Sequence, residues 1–178
     1  MLLPSGSVKK FAEKIQKDIS SHFNIYYERS YPEMHLTVNK INKDVEHKKA
    51  VKIIEDVCSK VNPVKIKIEE FDCLFNYENN FLVLKVARTE SLMKFAGKLH
   101  RVLKQKGMTV IENFDNWEFH ITLISNHFAK NPLDKKDFSN LYRFYSGVNL
   151  PCMATTNRVE LWRFTVDPSR KCIAQFEL

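Results

Sequence analysis

Two short segments of this chain, Met34-His35-Leu36-Thr37-Val38 and Phe119-His120-Ile121-Thr122-Leu123, repeat one pattern of apolar-His-apolar-Thr-apolar, with the histidines 85 residues apart. Strict alternation over five residues is the period of a half-buried β-strand, whose successive side chains leave opposite faces. Each segment then buries three apolar residues and presents an imidazole beside a hydroxyl on its other face. A fold that sets two such strands side by side brings two histidines and two threonines to one groove. That is equipment for acid–base chemistry on a phosphate.

The rest of the pattern supplies the frame. Val8, Phe11, Ala12, Ile15 and Ile19 recur at helical spacing, with Ser5 or Ser7 available as N-cap. A short strand Ile25-Tyr26-Tyr27 and the first His-x-Thr strand, about Met34 to Ile41, follow. A second helix carries Ala50, Val51, Ile54, Val57, Cys58 and Val61 and stops at Asn62-Pro63, where proline removes a donor. Val64, Ile66 and Ile68 alternate with Lys65, Lys67 and Glu69 as a half-buried strand. The run Phe81 to Val86 reads as a central strand, beyond a turn around Asn76, Glu78, Asn79 and Asn80.

Leu92, Phe95, Ala96, Leu99, Val102 and Leu103 form a third helical face ending at Gly107. Met108 to Ile111 reads as a strand and Asn113 to Asn116 as a turn before the second His-x-Thr strand, which runs through Ile124. Phe138, Leu141, Tyr142 and Tyr145 give a fourth helix closed by Gly147. Strands at about Arg158 to Thr165 and Lys171 to Phe176 finish the chain around Asp167-Pro168-Ser169. Tight strand-to-strand turns among the helices favour an α+β fold with mainly antiparallel sheet and helices outside. The repeated motif adds two pseudo-symmetric lobes around a central groove, in a single bilobal domain spanning 1–178.

With 178 residues and 44% hydrophobic content, the chain can bury a core without covalent staples. Lys and Arg exceed Asp and Glu by 28 to 21, a net charge of +7 that suits a protein meeting a polyanion. Cys58, Cys73, Cys152 and Cys172 show neither a CxxC pair nor metal-ligand spacing, so they read as buried or idle thiols. Met1-Leu2-Leu3 is too short an apolar run for a signal peptide, and no stretch could span a bilayer. The expectation is a cytoplasmic monomer that does not engage a membrane.

A single histidine on a strand is more often structural than catalytic. Two in one five-residue context, each with a threonine on its own face, are hard to explain by packing. His22, His47, His100 and His127 lack that threonine and read as surface or capping residues. Zinc is the rival chemistry, but there is no HExxH and no Asp or Glu within either His-x-Thr strand to supply a third ligand. No cofactor or metal is expected.

The paired motifs resemble the signature of the 2H phosphoesterases, the superfamily of 2′-5′ RNA ligase-like proteins and cyclic nucleotide phosphodiesterases. The order of helices and strands is similar, and the tail from Arg158 to Thr165, a turn, then Cys172 to Leu178 looks like that family's closing strand pair. Family members often carry proline before the motif histidine and glycine shortly after the first motif. Here Met34 and Phe119 precede, and Asn39-Lys40-Ile41 follow. The resemblance implies a metal-independent phosphoesterase acting on 2′,3′-cyclic phosphates or 2′,5′-linked RNA and nucleotides, with RNA ends or cyclic nucleotides as substrate. His35 and His120 would move protons while Thr37 and Thr122 donate to the phosphoryl oxygens. An RNA- or nucleotide-binding module of the same fold without turnover is the alternative.

Among the aromatic residues, Tyr26, Tyr27, Tyr31, Phe114, Trp117 and Trp162 could stack a base, and most of them belong to a core. Trp162, on the strand resembling the family's site-bordering strand, and Tyr31, four residues before His35, are the candidates. Arg163 is a candidate phosphate contact and Thr165 a weaker one. With an ordinary pKa near 6.5, one imidazole can be neutral while the other is protonated at working pH. Which of the two is the base stays open.

Overall fold

A computed structural model describes residues 1–27, 31–75, 80–127, 129–150, 152–163 and 171–178. It contains helices α1 (Gly6–Phe23), α2 (His47–Cys58), α3 (Glu90–Gln105) and α4 (Lys135–Tyr145). The strands are β1 (Val64–Phe75), β2 (Asn80–Val86), β3 (His120–Ser125), β4 (Met153–Thr156), β5 (Arg158–Trp162) and β6 (Cys172–Glu177). The turn expected around Asn76, Glu78 and Asn79, the one at Asp167-Pro168-Ser169, and Phe164 and Thr165 lie outside the described residues. No helix among the described residues is long and apolar enough to cross a membrane.

Every strand pairing among the described residues is antiparallel. One sheet runs β3-β2-β1-β4, and β5 pairs with β6. Single bridges join the two: Ile121 of β3 faces Leu36, Leu36 faces Leu2, and Leu2 faces Val159 of β5. Among the described residues, β3, β2, β1 and β4 therefore lie on one side of the Leu36–Ile121 contact, and the Leu36 segment, the Leu2 segment, β5 and β6 on the other. The fold is α+β with antiparallel sheet, as the alternation of patterns requires.

The apolar sheet face meets the helices. Ile66, Ile68, Phe71, Leu82, Leu84, Val86, Ile121 and Leu123 share one core with Val8, Ala12 and Ile15 of α1, Leu92, Phe95 and Leu99 of α3, and Phe138 of α4. Leu36 and Ile121 are both 0% exposed, and each buried side chain of this size contributes about 1.5–3 kcal/mol. Their burial turns the flanking histidines and threonines to the opposite face. Sheet alternation and core packing thus specify one register.

Local chemistry explains the helix ends. Thr89 caps α3 by accepting from the Leu92 N–H at 3.3 Å, and Gly107 follows its C-terminus at φ +65°, the left-handed region glycine tolerates. Asp134 and Asp137 form a reciprocal capping box at the start of α4. Ser5 holds the N-cap position of α1, yet its hydroxyl donates to the Thr155 carbonyl instead of accepting from the helix.

Several expected elements differ. Ile25-Tyr26-Tyr27 is not a strand: Asn24 turns left-handed at φ 50°, and the Ile25 N–H goes to the Ser20 carbonyl at 3.1 Å as part of the α1 cap. The first His-x-Thr segment and Met108–Ile111 form no continuous strands, only the Leu36 bridges and a bridge between Ile41 and Thr109. α2 ends at Cys58, leaving Val61 beyond it. β4 was not expected; its four residues, Met153–Thr156, owe their strand to pairing with the far end of β1.

Candidate active site

In an antiparallel pair, residues on either side of a bridged couple face each other across the strands. Leu36 opposite Ile121 therefore sets His35 against Thr122 and Thr37 against His120. Met34, Leu36, Val38, Phe119, Ile121 and Leu123 are all buried, whereas the two histidines and two threonines are only half-buried. On the other flank of β3, Val83 pairs with Thr122 and Lys85 with His120. The ladder then bulges between Leu82 and Val83, letting both Leu123 and Ile124 enter the core without rotating the motif.

Both imidazoles are held in the same way. His35 Nδ1 lies 2.7 Å from the Glu33 carbonyl and His120 Nδ1 lies 3.2 Å from the Glu118 carbonyl, each two residues back along the chain. A carbonyl only accepts, so Nδ1 carries the hydrogen in both rings and Nε2 is the nitrogen left to exchange a proton. The duplicated unit is thus Glu-x-His-x-Thr, and the glutamates of both copies were a sequence signal left unread. The Thr37 hydroxyl donates to the Met1 sulfur at 3.2 Å, and the Thr37 carbonyl accepts from Trp117 Nε1 at 3.2 Å.

The surroundings of the two rings differ. Trp162 packs on His35 with ring centroids 4.6 Å apart, and its Nε1 donates to the Glu160 carboxylate. Glu160 is also ion-paired with Arg158; burial opposes its ionisation, but hydrogen bonds from Trp162 and Arg158 outweigh that and hold its pKa below the ordinary value. Lys171 Nζ lies over the Trp162 ring, 3.5 Å from its centroid, and pairs with Glu33 at 3.5 Å. Near His120, Lys40 lies 5.2 Å from the Trp117 ring.

Burial pushes the His35 pKa down to about 4; Lys171, the Met1 amino group and His120 push the same way, against the Glu33 carbonyl. Burial also lowers the His120 pKa, with Lys40 adding to it and the Glu118 carbonyl and carboxylate opposing. Both shifts favour the neutral imidazole in the free protein. An anionic phosphodiester bound between them favours the charged imidazole.

The remaining expected residues are placed as follows. Arg163 is exposed, and its backbone N–H bonds the Lys171 carbonyl at 2.7 Å. Tyr31 is exposed and meets Tyr26 edge-on at 6.1 Å; the Tyr26 hydroxyl donates to the Ser125 carbonyl at the end of β3. Thr165 lies outside the described residues. His100 is not a surface residue: it is buried, stacked on Phe114 at 4.5 Å and within 3.3 Å of Asn39. Lys171 and Lys40 had no pattern in the sequence to mark them, because only the fold brings each to a tryptophan.

Among the described residues, no group of three or more His, Cys, Asp or Glu side chains is arranged to hold a metal ion. All four cysteines are free thiols, with Cys58 buried and Cys152 and Cys172 exposed. A search of curated proteins finds no match. A family model described as the AKAP7 2'5' RNA ligase-like domain matches residues 1–172, a span that includes all four helices and both motifs. The match agrees with the 2H phosphoesterase resemblance of the two motifs, and the chain belongs to the AKAP7 2'5' RNA ligase-like domain family.

Proposed function

We propose that this protein is a metal-independent phosphoesterase that opens 2′,3′-cyclic phosphates or cleaves 2′,5′ linkages in RNA-derived or nucleotide substrates. The observation that carries this reading is the cross-pairing of His35 with Thr122 and Thr37 with His120 about the Leu36–Ile121 bridge. In-line displacement at phosphorus needs a proton taken from the nucleophile and another delivered to the leaving ribose oxygen. Two Nε2 atoms serve those ends. Thr37 and Thr122 donate to the non-bridging oxygens as charge builds there.

The family supports an RNA-related phosphoesterase scaffold, and the +7 charge favours an anionic substrate. Arg163, exposed just past β5, is the candidate phosphate contact, and Tyr31, also exposed, is a candidate for base stacking. Trp162, the other candidate for base stacking, already contacts the His35 ring and the Lys171 ammonium, so a base stacked on it would share the indole with them. The test is a panel of 2′,3′-cyclic mononucleotides and 2′,5′-linked oligonucleotides assayed in excess chelator. Turnover of at least one class is expected; binding without turnover across the panel would make the protein a nucleotide-binding module.

A further inference from the structure

Each motif histidine has a lysine–tryptophan pair beside it, and the pairs are not equivalent. Trp162 touches the His35 ring itself, and Lys171 presses on Trp162 while tied to Glu33, whose carbonyl orients the same imidazole. Trp117 instead bonds the Thr37 backbone, its Lys40 stands farther off the ring, and the Glu118 carboxylate acts on His120. Other titratable groups also act on His35: the Met1 amino group from the N-terminal segment and His120 from β3; on β5 the Glu160 carboxylate is paired with Arg158 and accepts from the Trp162 indole N–H. Lys85 of β2, paired with His120 in the ladder, is tied to Glu70 at 3.4 Å.

Resting on the phosphoesterase reading, we propose that Lys171, seated on Trp162, is a positioning residue that divides the labour of the two histidines, making His35 the general base and His120 the general acid. The Lys171 ammonium is only loosely paired with the exposed Glu33 carboxylate at 3.5 Å, so it disfavours a second positive charge at His35 and keeps Nε2 free to accept. At His120 a carboxylate favours the imidazolium, and the bound phosphodiester adds to it. In cleavage of a 2′,5′ linkage, the 3′-hydroxyl O–H breaks and its proton goes to His35 Nε2 as the 3′-oxygen bonds phosphorus. The bond from phosphorus to the 5′-oxygen breaks, that oxygen keeps the electron pair, and it takes the proton from His120 Nε2. The products are a 2′,3′-cyclic phosphate and a free 5′-hydroxyl, and the histidines reset by proton exchange with water.

Two measurements test this. Histidine ring-proton NMR titrations of the free protein read each imidazole separately and need no turnover. Lys171→Met, which removes the charge and keeps an unbranched apolar side chain, is expected to move the His35 midpoint up and leave His120 in place, while Lys171→Arg keeps the wild-type value. An unmoved His35, or equal movement of both, overturns the role of Lys171. The second uses a nucleoside 2′-(4-nitrophenyl phosphate), whose leaving nitrophenolate needs no proton. The loss caused by His120→Ala should shrink about tenfold or more relative to a natural 2′,5′ linkage, and the loss caused by His35→Ala should persist. The reverse pattern overturns the assignment. Absence of wild-type turnover on every substrate would strike the phosphoesterase reading and leave the titration result standing.

Discussion

The two His-x-Thr segments carry nearly the same residues but are built into the sheet differently. The second lies within β3, a strand laddered to β2 on one side, whereas the first is held by bridges at Leu36 and Ile41. Near His35 the packing comes from a tryptophan, an ion-paired lysine and a buried carboxylate; near His120 it comes from a ladder neighbour and an exposed glutamate. Sequence duplication sets which groups line the candidate site. Tertiary surroundings then make the duplicates unequal.

The threonines test whether the duplication is functional. Thr37→Val and Thr122→Val are nearly isosteric and suit extended backbone, so each is expected to fold and to lose about 10²-fold in kcat, as for removal of one oxyanion donor. Loss of thermal stability with unchanged activity per folded molecule would make the hydroxyls structural.

A smaller effect sharpens the contrast. Both imidazoles titrate below the ordinary value of 6.5, His35 at about 4. With His35 as base and His120 as acid, kcat/KM should rise through the lower midpoint and fall above the higher one. Its optimum is therefore expected on the acid side of 6.5, and an optimum well above 7 contradicts the lowered values.

The smallest effect is on stability. A histidine whose folded pKa is depressed leaves the unfolded chain binding more protons between about 4 and 6.5, so stability falls as pH drops through that window. Wild type should lose more unfolding free energy between pH 6.5 and 5 than His35→Gln, which has no proton to refuse. Parallel denaturation curves for the two would mean His35 is not depressed.

Much of this frame was legible in the sequence because periodicity reports burial directly. The apolar residues of both motifs, the α3 face and its Gly107 stop lie where their spacing puts them. Ile25–Tyr27 misled because β-forming residues at a helix end had their hydrogen bonds taken by the cap. β4 was hidden because Met153–Thr156 is defined by its partner Val64–Lys67, from which it is separated in sequence by β2, α3, β3 and α4. Within the site, the histidines and threonines declared themselves. Lys171 did not, since its place over Trp162 follows from the β5–β6 pairing and has no local signature.

The central claim is that both histidines act together on one phosphate. It is tested most directly by single-turnover rates of wild type, His35→Ala, His120→Ala and the double variant on a 2′,5′-linked dinucleotide in excess chelator. The account predicts losses of about 10² or more for each single variant and a double variant far less impaired than the product of the two. Near-wild-type rates in either single variant, or wild-type activity abolished by chelator and restored by added zinc, would contradict it.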